Sequence, residues 1–260
     1  MNKYFVILCL ILFLSGLHAF PVTDGLLVHY NFNGTFEDDS GNDNHVTTNS
    51  GGTTINATSG MGGSGAAVFD GVDDRLYTNN MPFDASSGAS TTASFWMNWA
   101  GKNSVMPIGF STYDLWLTGG NFGFNSGGGD VTGISSSGLT NNWVYVTAVF
   151  YNGAPSPTTH KLYINGVKQN ISLLQGSTSA HATTDYFYLG SWNHGGYLFQ
   201  GSLDEVSLYN RALSDSEVTQ LYNYYGEEDN FFATSNIPEP ANLIIALIGL
   251  MFLLKHYRNN

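Results

Sequence analysis

The chain has 260 residues, with 8 basic against 20 acidic side chains and a formal net charge of −12 at pH 7. That balance repels nucleic acid and anionic membrane surfaces, and it lacks the basic stripe that phosphate binding needs. Charged residues are only 11% of the chain, against 14% aromatics and 31 glycines, which excludes an acidic disordered protein and suits an all-β extracellular fold rich in turns.

The chain opens on "MNKYFVILCLILFLSGLHA", with basic Lys3, an apolar core from Tyr4 to Leu14 and small or neutral residues up to Ala19. This is the pattern of a secretory signal peptide over residues 1–19, with an uncleaved amino-terminal anchor as the alternative. The single cysteine, Cys9, lies inside it, so the mature chain has no thiol and no disulfide and must be held by its core. Without the signal and the tail from Pro238, 5 basic and 19 acidic residues remain, a net −14.

The body, residues 20–225, reads as short strands. "EDDSGNDN" is an acidic loop, and "NSGGTTINATSGMGGSGAA" a glycine-rich connection. "TTASFWMNW" alternates Ala93, Phe95, Met97 and Trp99 against Ser94, Trp96 and Asn98, the period of a half-buried strand. "NNWVYVTAVFYNG" is apolar on both faces, as a central sandwich strand is. In "KLYINGVKQN", Asn165-Gly166 between two strand-like runs predicts a tight hairpin. "DYFYLGSW" and "SLDEVSLYN" are further strands. One short helix is predicted near the end of the body: Ser214 with Glu217 makes a capping box, and Val218, Leu221, Tyr222 and Tyr225 share a face. Residues 226–236 read as a linker.

The tail, residues 237–260, holds twelve apolar residues from Leu243 to Leu254, followed by Lys255 and Arg258. A helix of that length covers roughly 18 Å, short of a ~30 Å hydrocarbon core. A short membrane span, a buried core helix and a disposable address label all remain open on length alone. Pro240 marks a natural helix start.

Two resemblances bear on these segments. Pro238-Glu239-Pro240, an apolar helix and a basic tip resemble the bacterial PEP-CTERM sorting signal. That likeness implies transient residence in the inner membrane, processing by an exosortase, and delivery to the cell surface or exterior of a Gram-negative bacterium. "GLLVHYNFNGTFEDDSGNDNHVT", "AAVFDGVDDRLYT", "TASFWMNW", the segments through "KLYINGVKQN", and "YFYLGSWNHGGYLFQGSLDEVSLYNRALSDSEVTQLY" are similar, in that order, to laminin-G-like, concanavalin A-like jelly rolls. The fold this implies is an all-β, two-sheet antiparallel jelly-roll sandwich with one short helix near its C-terminal end, here followed by a C-terminal hydrophobic helix. The resemblance also implies that first and last strands lie side by side, bringing Asp204 near the loop of Asp39 and Asn44 around a structural calcium. The residues themselves support a calcium site there, since Glu37 to Asn44 concentrates carboxylate and amide oxygens; a solvated turn is the alternative. Asp70, Asp73 and Asp74 form a second candidate.

No catalytic signature is found: no Gly-x-Ser-x-Gly elbow, no His-Glu-x-x-His helix, and no Glu-x-Asp-x-x-Glu strand like that of laminarinase-type relatives. Adjacent Asp204 and Glu205 point to opposite faces of a strand. Glycan binding fits better. "SWNHGGYLFQG" offers Trp192, Asn193, His194 and Tyr197 around two glycines, and "STYDLWL" adds Tyr113, Asp114 and Trp116. The expected function is an exported, non-catalytic polysaccharide-binding protein, with a structural matrix protein and a glycan hydrolase or lyase as rivals.

Overall fold

A computed structural model of the protein describes residues 21–234 except Thr112 and His194, with side chains described through Gly226. The expected signal peptide, the Pro238-Glu239-Pro240 motif and the C-terminal hydrophobic helix lie outside the described residues. Among the described residues no helix is long and apolar enough to cross a membrane.

The strands in chain order are β1 (Leu26–Tyr30), β2 (Thr48–Ser50), β3 (Thr54–Asn56), β4 (Ala66–Asp70), β5 (Arg75–Thr78), β6 (Ser90–Trp99), β7 (Ile108–Phe110) and β8 (Tyr113–Thr118). They continue as β9 (Asn121–Asn125), β10 (Val131–Ser135), β11 (Trp143–Tyr151), β12 (Lys161–Ile164), β13 (Val167–Lys168), β14 (Ser172–Gln175), β15 (Phe187–Leu189) and β16 (Gln200–Tyr209), followed by helix α1 (Asp215–Thr234). The first sheet has the order β13-β12-β11-β6-β16-β4-β3, with β1 also on β16; the second runs β14-β10-β9-β8-β7-β15-β5-β2. First and last strands are neighbours, Val28 opposite Leu208, as the family resemblance implies.

Alternation decides what fills the space between the sheets. Ala93, Phe95 and Met97 of β6 meet Leu115 and Leu117 of β8 and Phe122 and Phe124 of β9 in one continuous core. The Asn165-Gly166 turn has φ of 51° and 73°, the two positive values a type I′ hairpin requires.

Two expectations change. Strand β6 is buried on both faces, because α1 lies across the outer side of the first sheet. Leu213, Val218, Leu221 and Tyr225 pack there on Trp96, Tyr145, Val149, Tyr163 and Tyr209. The capping box forms as read: the Ser214 N–H donates to Glu217 Oε2 at 2.8 Å and the Glu217 N–H to Ser214 Oγ at 3.3 Å. Arg211 clamps the same carboxylate with both terminal guanidinium nitrogens, at 3.1 and 2.6 Å, and these bonds draw Glu217 down to about 2. The helix does not stop at Tyr225 but continues to Thr234, through most of the stretch read as a linker.

Candidate functional site

Along the second sheet, every residue that points into the core leaves its neighbours pointing out. Tyr113, Leu115 and Leu117 of β8 are core residues, so Asp114 and Trp116 face outward. Register then joins positions far apart in sequence. Tyr77, Tyr188, Gly109, Asp114 and Asn125 form one cross-strand row, and Trp116, Gly123 and Gly133 form the next. The adjacent strands β9 and β10 therefore set two glycines side by side next to Trp116, and β7 sets Gly109 next to Asp114. A Cβ on Gly123 or Gly133 would collide with the backbone of the facing strand, so these strands approach as only glycine allows.

The predicted aromatic loop packs on this face beside Trp116. Tyr197 packs edge-on against Trp116 with ring centres 5.5 Å apart, and against Trp192 at 6.1 Å. Trp192 also packs on the small cluster of Met106, Trp116 and Val131. The backbone pins the loop down: Met106 N–H donates to the Tyr197 carbonyl at 2.8 Å, and Trp192 N–H to the Gly196 carbonyl at 3.0 Å. Asn193 and Tyr197 hold φ of 44° and 50°, and the Tyr188 hydroxyl donates to Asn193 Oδ1 at 3.2 Å. Tyr197 is 43% exposed and Trp116 8%.

Of the predicted ligand residues, Trp116, Trp192 and Tyr197 thus come together, while His194 lies outside the described residues. Tyr113 does not join them. It points into the core, its hydroxyl donating to the Tyr151 carbonyl at 2.9 Å. Sequence reading missed Tyr77, Tyr188, Asn125 and the paired glycines, since only strand register assembles those rows.

The expected calcium ligands Asp39, Asn44 and Asp204 are arranged differently. The carboxylate that organises the acidic loop is the preceding residue, Asp38. It accepts from the N–H groups of His29, Ser40 and Asn44 and from the Ser40 hydroxyl, all at 2.9 Å. Asp39 is exposed and accepts from the Asn31 side-chain amide, and the Asn44 amide donates to the Leu27 carbonyl at 2.8 Å. Asp204, fully buried, accepts from the Met61 N–H, the Ser64 hydroxyl and the Glu205 N–H. Its partners belong to the Gly60–Ser64 turn and its own strand rather than to the acidic loop, so donors already occupy the lone pairs that the expected ion would take. Among the described residues, Asp70, Asp73 and Asp74 are the one group of three or more His, Cys, Asp or Glu side chains whose ligand atoms fall within 4.8 Å of each other.

Glu205 sits at a bulge with φ of 51° and pairs with His29 at 3.1 Å, so the adjacent acids have separate partners. Burial, and then the Glu205 charge, push the Asp204 carboxyl up to about 8. An unfolded aspartate titrates near ~3.9, so folding takes up a proton between the two values; this contribution is complete at low pH and lost as pH rises through about 8. His160, pushed down to about 4 by burial, acts in the opposite sense below about 6.5. The clean window is therefore pH 6.5 to 8, where each such carboxyl lowers stability by up to about 1.4 kcal/mol per pH unit. Denaturant unfolding across that window should show stability falling with pH, and Asp204→Asn should flatten the slope. An unchanged slope would mean that Asp204 is ionised throughout.

Comparison with known proteins places this geometry. A family profile described as the concanavalin A-like lectin/glucanases superfamily matches residues 41–219. Similar solved structures include the receptor binding domain of botulinum neurotoxin C/D mosaic serotype, with 16% identity, 78% of this chain and 52% of that one covered, and a TM-score of 0.56. The binding domain of Paraclostridial Mosquitocidal Protein 1 has 19% identity, 78% and 53% coverage and a TM-score of 0.56. The chain spans about half the length of these two. Domain 4 of AbnA, a GH43 extracellular arabinanase from Geobacillus stearothermophilus solved in complex with arabinotriose, has 25% identity, covers 76% of this chain and 98% of its own, and has a TM-score of 0.53. A search of the curated proteins finds no match. With both sheets, their topology and the matched span in agreement, the chain belongs to the concanavalin A-like lectin/glucanase superfamily, as a laminin G-like jelly roll.

Proposed function

We propose that this protein is an exported, non-catalytic polysaccharide-binding domain whose glycan site is the outer face of the second sheet. The observation that carries this is the Trp116, Tyr197 and Trp192 cluster beside the paired glycines Gly123 and Gly133, with Tyr197 turned to solvent. Aromatic faces offer sugar rings a flat apolar surface, and the backbone bonds and the Met106 and Val131 contacts fix their position. The arabinotriose complex of the AbnA domain, the relative covered almost end to end, supports a sugar as ligand. Export rests on the signal peptide pattern, and transient inner-membrane residence with exosortase processing on the Pro-Glu-Pro tail.

A glycan array probed with the purified protein tests the proposal. Tyr197→Ala and Trp192→Ala should each weaken binding by about tenfold, the equivalent of ~1.4 kcal/mol for one lost stacking surface. Retention of no glycan by the unmodified protein would overturn it and favour the structural matrix role. The exposed Leu173 and Leu174 on edge strand β14 suit that second role, packing against another protein. Release of reducing sugar from an exopolysaccharide would overturn the non-catalytic part.

Structural calcium belongs to the proposal at Asp70, Asp73 and Asp74, the set whose oxygens converge, rather than at Asp39, Asn44 and Asp204. Asp70 Oδ1 accepts from the Val72 N–H and Asp74 Oδ2 from the Asp70 N–H, leaving the other oxygens of the group for a cation. Millimolar calcium should raise the melting temperature relative to chelator, and Asp73→Asn should remove the increment. Equal melting with calcium and chelator would remove the ion and leave the glycan site untouched.

A further inference from the structure

Five aspartates are buried among the described residues: Asp38, Asp74, Asp114, Asp130 and Asp204. Four of them accept hydrogen bonds. Asp38 and Asp204 do so as described, Asp74 from the Asp70 N–H, and Asp130 from Ser126 and the Gly128 N–H. Asp114 accepts none. It is fully covered, both carboxylate oxygens lack a partner, and no ion pair of the described residues includes it. Native proteins rarely leave such a group unsatisfied without a use for it.

Its position supplies the use. Asp114 stands on the outer side of β8, two residues from Trp116 and opposite Asn125 of β9. Its carboxylate lies over Gly109 of β7, where a Cβ would overlap Oδ1. The same face holds two further unpartnered buried donors, Trp116 Nε1 and Arg75 Nε. Three side chains with unpartnered buried polar atoms thus lie on the face that carries the aromatic cluster, and Asp114 is the acid among them.

We propose that this face selects a sugar bearing a free amino group, with the Asp114 carboxylate as the anchor of the ammonium and the Trp116 and Tyr197 rings beside it. This rests on the glycan site proposed above. An ammonium brings the countercharge that Asp114 lacks as well as three donors, whereas neutral hydroxyls bring donors alone. Aromatic faces attract the same cation, and a chain of net charge −12 concentrates cationic polymers around itself. Burial holds the carboxyl well above its ordinary range, as expected of an acid with no compensating charge. Because Asp114 is fully covered, binding of the amine requires the side chains above it to move aside.

The test compares a glucosamine oligomer with the N-acetylglucosamine oligomer of equal length, titrated into the full protein and into Asp114→Asn. The unmodified protein should bind the amino form at least about tenfold more tightly, as a charge-assisted buried contact implies. Asp114→Asn should erase that preference while melting no earlier, since it removes an unpaired acid. If it does melt early, Asp114→Ser replaces it. Asp84→Asn, which removes one exposed charge elsewhere, should keep the preference and so exclude general electrostatic attraction. Equal binding of both oligomers, or a preference that survives at Asp114→Asn, overturns the inference while the glycan site stands. Binding of no glycan at all overturns both.

Discussion

Truncation of Phe150 to alanine is expected to destabilise the protein by about 4 kcal/mol, the middle of the range for a buried phenylalanine in a core that relaxes only partly. Phe150 lies on β11 with no exposure, and three rings meet it edge-on: Phe110 and Phe124 at 5.0 Å and Tyr113 at 5.1 Å. Phe150 and Thr91 face each other near one end of the β11–β6 pairing, and the Phe150 ring lies in the core between the sheets. Each edge-to-face pair adds about 0.5–1.5 kcal/mol beyond burial, and three pairs sharing one ring are not additive. For a domain of this size, about 4 kcal/mol lowers the melting temperature by roughly 8–16 °C. Phe150→Leu fills most of the volume without the ring edges and should lose about half as much. Equilibrium denaturation of both variants checks the pair. A loss below about 1.5 kcal/mol for the alanine variant would mean that the core closes over the gap, and that Phe150 is not its hub.

Gly201→Ala is expected to be comparably damaging for a different reason. Gly201 has φ of 146°, a region that residues with a side chain rarely enter, and a Cβ there would overlap the Asn98 carbonyl oxygen. It pairs with Trp99 on one side and Phe69 on the other, so neither neighbouring strand is free to retreat. Backbone strain of about 1–3 kcal/mol and the overlap together should exceed ~3 kcal/mol. Gly226→Ala is the contrast. Gly226 lies in α1 with open space around its Cα, so alanine should stabilise the helix by up to ~1 kcal/mol. Thermal melting of both variants separates the two kinds of glycine. A Gly201→Ala protein that melts with the unmodified one would show that β16 can rearrange around a side chain.

Much of the fold was legible because local rules and global structure agree. Asn165-Gly166 needs positive φ at both positions and sits where the hairpin turns; Ser214 and Glu217 satisfy each other's backbone at the start of α1. Two of the misses share one cause, which is that periodicity separates two faces without saying what covers each. Alternation put Trp96 opposite the core of β6, but only the docking of α1 buries it. "STYDLWL" reads as one set in the sequence, but alternation splits Tyr113 into the core from Asp114 and Trp116 on the outer face of the second sheet. The acidic loop showed its composition but not which carboxylate turns inward, and Asp38 does so by capping three backbone N–H groups. Tyr77, Tyr188, Gly109, Asp114 and Asn125 come from five strands, and no local pattern relates them.

The most direct test of the glycan face is NMR chemical-shift mapping during titration with a polysaccharide fragment that the array retains. The predicted result is saturable shifts confined to β7, β8, β9 and the loop that carries Trp192 and Tyr197, including the indole N–H signals of Trp116 and Trp192. Saturable shifts centred on the Glu37–Asn44 loop or on α1, with those indole signals unmoved, would contradict it.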